Sequence, residues 1–473
     1  MAQEQKAFPL SPPAARALEM LRAAGYEAWI VGGCVRDFLL GLSPKDYDIT
    51  TSALPEETKA VFQGLPVIET GIRHGTVTVV LEGEPLEITT YRVDGAYSDA
   101  RHPDQVTFTR SLREDAARRD FTMNAMAYSP GEGLQDFFGG QEDVQHAQIR
   151  AVGNPMIRFQ EDALRILRGL RFASVLGFSL EQETEEAARR QAGLLKKISA
   201  ERVGAELGKL LLGKGAGHVL QTYPDILGQV IPELLPMVGF DQRNRHHCYD
   251  LLAHTAAAVD GVPSGLSLRL AALLHDVGKP RCFSLGDDGE GHFYGHARES
   301  AAMTREILTR LRFPKAVCQR AETLVHYHDS VIEEDPRLVK RWLNKLGEEP
   351  FFQLIDLQRG DTGALAPAYR SRKARLDAVE ALAREILAQS PCLTVRDLAL
   401  RGQDLMALGL RGPEIGRAQR MLLEGVLEGS VENEKQALVK FLESYPAKKE
   451  KSLPEKGKEP GGKVMPGDNF AEK

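Results

Sequence analysis

Short apolar and β-branched runs dominate the first 150 residues. Residues 26–31 (YEAWIV), apolar but for Glu27, read as a buried strand. Gly32-Gly33 ends it with a sharp turn, and residues 34–41 continue with a helical pattern. Further strands are predicted at 46–50, 66–69, 75–82 and 86–92, so this region reads as an α/β head with a small mixed sheet. From about residue 155 the period changes. Segments 158–176, 180–197 and 200–213 carry apolar positions at helical spacing, and helices are expected as far as about residue 445. Turn-rich breaks at 213–217, 239–245, 261–265 and 284–295 punctuate them. Residues 446–473 hold too little apolar surface to offset the entropy of ordering, which predicts a disordered tail. The expected fold class is a multidomain α+β chain: a head at 1–150, a helical neck at 151–238, a second helical domain at 239–370 and a helical body at 371–445.

A chain of 473 residues, 42% hydrophobic, has room for several domains at about 100–200 residues each. Its net charge of −6 gives no bulk electrostatic case for nucleic acid or membranes and leaves local basic patches open. The five cysteines are odd in number and include no C-x-x-C pair, which points to reduced thiols and a cytoplasmic setting. No signal sequence and no run approaching roughly 18 apolar residues is found, so neither secretion nor membrane insertion is expected.

Three constellations carry candidate chemistry. Asp46 and Asp48 lie two apart in DYDIT, a spacing that puts both carboxylates on one face of a strand, with Glu87 in the strand 86–92 as a third. Such a pair is either a solvated strand face or a seat for a hard cation such as Mg²⁺, which carboxylates hold together with substrate phosphates. The Gly32-Gly33 turn, opening a helix with Arg36 and Asp37 in its first turn, suits phosphate. In FQEDALRILRGLRF, Asp162 and Arg165 are three apart, which would project them from one helix face, and Glu161 lies four before Arg165. This is either an ordinary surface ion pair or an acceptor–donor set for a base edge with an amino group beside a bare ring nitrogen. Cytosine and adenine have that edge, whereas guanine and uracil would leave desolvated groups unpaired at about 1–3 kcal/mol each. Finally, His275 and Asp276 in LLHDVGKP, with His254 upstream, are either a helix end or part of a divalent-metal site.

GGCVRDFLLG followed by DYDIT resembles the signature of the nucleotidyltransferase superfamily, in the branch of bacterial CCA-adding tRNA nucleotidyltransferases and related poly(A) polymerases. YRVDGAYSDARHPDQVTF, ARRDFTMNAMAY, LQDFFGGQEDV, FQEDALRILRGLRF and ISAERVGAELGKLL follow in that family's order, with Phe137 where many members have proline. The resemblance implies that Asp46 and Asp48 hold catalytic Mg²⁺. It groups Gly32, Gly33, Arg36, Asn124 and Arg168 with the nucleotide-binding set, and gives Arg119 to the triphosphate and Asp120 to the ribose. Asp162 and Arg165 would select the base, with Glu161 buttressing the arginine, while Arg118 reads as part of a charged helix start. A full-length loop at 93–105 implies addition of A as well as C.

His254, His275, Asp276, His296, His328 and Asp361 together resemble the HD phosphohydrolase superfamily over about 240–370, implying a divalent transition metal. His246 and His247 are read as substrate contacts or solvent-facing residues. Residues 395–443 resemble the C-terminal region of bacterial CCA-adding enzymes, with Gly409, Gly412 and Gly416 around a helix start that could hold an RNA phosphate. Basic clusters at Arg165, Arg168 and Arg171 and at Arg189, Arg190, Lys196 and Lys197 are further candidate contacts to a phosphate backbone. The expected function is template-independent addition of CCA to the tRNA 3′ end from CTP and ATP. The alternatives are an A-adding enzyme or poly(A) polymerase, and an HD-type phosphohydrolase with an RNA-binding head.

Overall fold

The computed structural model describes residues 8–44, 46–95, 106–287, 289–389 and 391–444. Most of the expected loop at 93–105 and all of the expected tail at 446–473 lie outside the described residues. The chain divides into two compact units, residues 1–331 with 352–376, and residues 332–351 with 377–473.

In the first unit, helix α1 (Pro12–Ala23) is capped by the Ser11 hydroxyl and precedes β1 (Ala28–Val31), whose four residues are all buried. Helix α2 (Gly33–Leu39) springs from β1 through Gly32, and β2 (Asp48–Thr51) returns antiparallel to β1. After α3 (Pro55–Val61) come β3 (Val67–Ile68), β4 (Thr76–Leu81) and β5 (Glu84–Thr90), then β6 (Arg92–Asp94), β7 (Val106–Phe108), α4 (Leu112–Ala117), β8 (Ala127–Ser129), β9 (Gly133–Gln135) and α5 (Gly140–Gln145). Seven strands form one sheet in the order β3-β4-β5-β2-β1-β8-β9, antiparallel except for the parallel pair β2–β5. This is the expected mixed sheet, with β1 and β2 near its centre: β1 is buried throughout, and β2 from Ile49 to Thr51.

Three expectations are corrected. The strand expected at 46–50 begins at Asp48, so Asp46 precedes it and the period-2 argument for a shared face does not apply to the pair. The strand expected at 86–92 is two: β5 ends at Thr90, and β6 pairs with β7 in a separate ladder. The helix expected at 158–176 is broken into α6 (Pro155–Glu161) and α7 (Leu164–Leu176), with Asp162 between them in an extended conformation. The break follows from aspartate chemistry: the Asp162 carboxylate accepts from Leu164 N at 3.0 Å, a local bond that competes with continued helix and starts a new one.

The remaining helices of the neck are α8 (Gln182–Gln191), α9 (Ala200–Leu211), α10 (Ala216–Thr222) and α11 (Pro224–Leu227). They are followed by α12 (Leu251–Gly261), α13 (Leu266–Leu274), α14 (Lys279–Cys282), α15 (His296–Arg310) and α16 (Lys315–Tyr327). The second unit contains α17 (Pro336–Leu346), and the division between units falls within α18 (Glu348–Ala364) and α19 (Arg372–Ala388). In the second unit, α20 (Gly402–Ala407), α21 (Pro413–Leu427) and α22 (Lys435–Ser444) close around Leu398, Leu405, Leu422 and Leu438. All five cysteines are free thiols. Among the described residues, no helix is long and apolar enough to cross a membrane.

Candidate functional site

A cleft of about 440 Å³ opens where the glycine turn, the segment after α4 and the start of α7 meet. Seven arginines line it (36, 118, 119, 165, 168, 171 and 202) against three aspartates (48, 120 and 162). Gly32 begins the site with φ 81°, a conformation that glycine adopts without strain. A Cβ at Gly32 would lie in ordinary contact with Arg119 Nη1 (3.4 Å) and Asp48 Oδ2 (3.7 Å), which places both charges against the turn. Asp48 stands beside Glu87, because β2 and β5 run parallel with Ile49 opposite Ile88. Burial and Glu87 push the Asp48 carboxyl above its ordinary range, and Arg119 only partly offsets them. Oxygen donors that repel one another in this way suit a hard divalent cation. Asp46 is exposed and does not line the cleft, although its charge is felt by Asp48.

The base-reading candidates are arranged differently from the expected single helix face. Arg165, on α7, donates to Glu161 Oε2 at 2.8 Å and to Arg118 O at 3.0 Å. Asp162 sits at the helix break and accepts from Arg202 Nη2 of α9 at 2.6 Å. Beside them, Arg168 donates to Asp120 Oδ2 through Nε (2.8 Å) and Nη2 (2.6 Å), while Asp120 Oδ1 accepts from Asn124 Nδ2 at 3.1 Å. Asn124 Oδ1 in turn accepts from Arg36 Nη1 at 2.8 Å. Burial opposes charge on Asp120, but Arg168 and Asn124 bring its pKa down to about 2. The Phe172 ring lies against three guanidiniums, with Arg171 at 3.8 Å, Arg36 at 5.0 Å and Arg168 at 5.9 Å. By contrast, Arg189 is committed to Glu185 and Asp225, and Arg190 to Glu186.

The second candidate centre also lies in the first unit. His254 comes from α12, His275 and Asp276 follow α13, His296 begins α15, His328 ends α16 and Asp361 lies on α18. All six converge. His254 Nε2 is 2.9 Å from Asp361 Oδ1, and His275 Nε2 is 3.1 Å from Asp276 Oδ2. On the other side of Asp276, Oδ1 faces His296 Nε2 at 3.5 Å and His328 Nε2 at 3.6 Å. Backbone carbonyls at Ala272, Phe293 and Val325 take the Nδ1 atoms of His275, His296 and His328 at 2.8, 2.9 and 2.7 Å, which aims each Nε2 inward. His254 Nε2, His275 Nε2 and Asp276 Oδ1 are buried without a well-formed hydrogen bond, and Asp276 Oδ2 has Lys279 Nζ at 2.8 Å. Inward-facing imidazole nitrogens around a buried carboxylate are a donor set that could hold a divalent metal. Asp361, 27% exposed, marks the side open to solvent. His247 packs edge-on to His254 at 4.9 Å, and burial with the nearby Lys279 lowers its pKa to about 3.

Comparison with known proteins follows the same chain order. A family model for the poly A polymerase head domain matches residues 28–150, one for the RNA- and SrmB-binding site of polymerase A matches 177–234, and one for tRNA nucleotidyltransferase domain 2 matches 296–442. A CCA-adding enzyme of Lactobacillus helveticus is 35% identical over 428 residues, covering 90% of this chain and 95% of that protein. The chain belongs to the CCA-adding enzyme family. A second member, from Lactobacillus delbrueckii subsp. bulgaricus, is 36% identical over 426 residues, 90% of this chain and 96% of that one. The crystal structure of the Bacillus stearothermophilus CCA-adding enzyme in complex with CTP is 30% identical with a TM-score of 0.66, covering 92% of this chain and 98% of that chain. Several cleft residues of this family member escaped the sequence reading. Arg118 lines the cleft although it read as a charged helix start, and Arg202 is revealed only by the fold that returns α9 to α7. The Arg118-Arg119 doublet ahead of Asp120 was the available signal for the first.

Proposed function

We propose that this enzyme adds CCA to the 3′ end of tRNA from CTP and ATP, without a nucleic-acid template and with release of pyrophosphate. The observation that carries the reading is the arginine-lined cleft in which Asp48, the glycine turn, Arg165 with its Glu161 buttress and Asp162 with its Arg202 anchor face one volume. In this reading Asp48, with Glu87 beside it and Asp46 reaching it through its charge, would hold Mg²⁺. When bound, the ion offsets triphosphate charge and favours the attacking 3′-hydroxylate. Arg119 and the Gly32-Gly33 turn receive the triphosphate, and the Asp120 network places Arg168 and Arg36 along it. Asp162 accepts from the exocyclic amino group of cytosine or adenine and Arg165 donates to the adjacent ring nitrogen, so discrimination is a matter of matched hydrogen bonds.

A second reading, favoured by the orphaned atoms at Asp276, is a phosphohydrolase centre in the same chain. His254 and His275 face one oxygen of Asp276, with Asp361 beside both histidines, and His296 and His328 face the other; these two donor groups would hold divalent metal, which would supply Lewis-acid activation of water.

The test incubates purified protein and Mg²⁺ with tRNA transcripts ending before CCA or in C-C, and with an unrelated RNA, each supplied with labelled CTP, ATP or both. Ordered addition of C, C and A that then stops is the expected result. Addition of A alone identifies an A-adding enzyme, long A tracts on any RNA a poly(A) polymerase, and no incorporation shifts the reading to the histidine centre.

A further inference from the structure

Behind the cleft lies a carboxylate that no part of the reaction above uses. Asp115, on α4, is fully buried, and an isolated carboxylate there would be costly. Its Oδ1 accepts from Arg118 Nε at 2.9 Å and Arg92 N at 3.3 Å; its Oδ2 accepts from Thr50 Oγ1 at 3.2 Å and Arg119 Nη2 at 3.4 Å. Burial raises the cost of its charge, yet Arg118 and Arg119 hold the carboxyl below its ordinary range, so it is an anion at neutral pH. Thr50 is two residues along β2 from Asp48. One buried charge therefore touches both the strand that carries Asp48 and the arginine that faces it.

Arg119 has two carboxylates within its reach. Its Nη2 pairs with Asp115, while its Nη1 borders the same bare face of Gly32 that Asp48 Oδ2 borders. Asp48 takes part in no ion pair among the described residues, though it feels the charge of Arg119. A guanidinium and a divalent cation compete for the same carboxylate oxygens, and a bidentate pair would win space from the ion.

We propose that Asp115 is a positioning residue of the nucleotide cleft, tethering Arg119 so that its guanidinium faces the triphosphate instead of closing on Asp48. The proposal rests on reading Asp48 as a metal ligand. It assigns Asp115 the task of keeping Asp48 available to Mg²⁺.

The test uses the full chain and measures the Mg²⁺ concentration that half-saturates binding of labelled CTP in equilibrium dialysis, with no tRNA present and hence no turnover. Asp115→Asn keeps the shape and removes the charge, and is expected to raise that concentration about fivefold, the scale of one partly exposed ion pair. In an Arg119→Gln background the same change is expected to have no effect, and Asp115→Glu is expected to bring the value back to within about twofold of wild type. An unchanged requirement in Asp115→Asn overturns the proposal. So does a rise that persists in the Arg119→Gln background, since that makes the role merely structural. Asp48→Asn separates the two layers: if it raises the requirement while Asp115→Asn does not, the tether alone fails, and if neither does, the metal-ligand reading fails with it.

Discussion

Asp120 shows how a single side chain sets the geometry of the cleft. Its two oxygens hold Arg168 on one side and Asn124 on the other, and Asn124 passes the constraint to Arg36. Because its folded pKa of about 2 lies below the ordinary 3.8, the stability it contributes is present above about pH 4 and is lost as pH falls from 4 to 2. Chemical denaturation of wild type should therefore lose about 2 kcal/mol over that window, and Asp120→Asn should lack this component while being less stable at pH 7. Equal acid sensitivity in the two proteins would contradict the assignment. The residue was legible in the sequence through the motif ARRDFTMNAMAY, but its partner was not. The ion pair to Arg168 spans 48 positions and exists only because α7 packs against the segment after α4. The same limit hid Arg202, whose partner Asp162 lies 40 positions away, whereas Asp115 has Arg118 and Arg119 three and four positions on and only its contacts with Thr50 and Arg92 are tertiary.

At the scale of elements, two local features shape the site. The turn into α2 places Gly32 at φ 81° and ψ −138°, with charges on either side of the missing Cβ. Gly32→Ala should cost about 1–3 kcal/mol in strain and lower CTP affinity at unchanged fold, measurable as a reduced melting temperature with weakened nucleotide binding. Wild-type affinity in that variant would remove the turn from the site. The strand, turn and helix here were readable because an apolar run, two glycines and a helical pattern follow one another without ambiguity. The break between α6 and α7 was missed for a definite reason. Apolar periodicity continues across 158–176, so the pattern reports one helix, whereas the capping chemistry of Asp162 divides it. The three-residue strands β8 and β9 were likewise too short to leave an alternation to read.

At the scale of the whole chain, six residues drawn from more than 100 positions of sequence meet at Asp276, and the buried atoms they leave unpaired should be satisfied by metal. Adding Mn²⁺ or Co²⁺ to chelator-treated protein is expected to raise its melting temperature by roughly 2–4 °C, by preferential binding to the folded state. Asp276→Asn should abolish the rise, and a rise that survives it would place the ion elsewhere. The cleft has a further consequence. Seven arginines less three aspartates leave it with four positive charges, in a chain whose total is −6, so everything outside the cleft sums to −10. A polyanion approaching through the solvent thus meets a protein that repels it on balance and a cleft whose lining attracts it. Salt screens both parts over about 8–10 Å, so low ionic strength sharpens the contrast between them. Such a surface favours aim over adhesion: an RNA that does not bring its end to the cleft has little reason to stay.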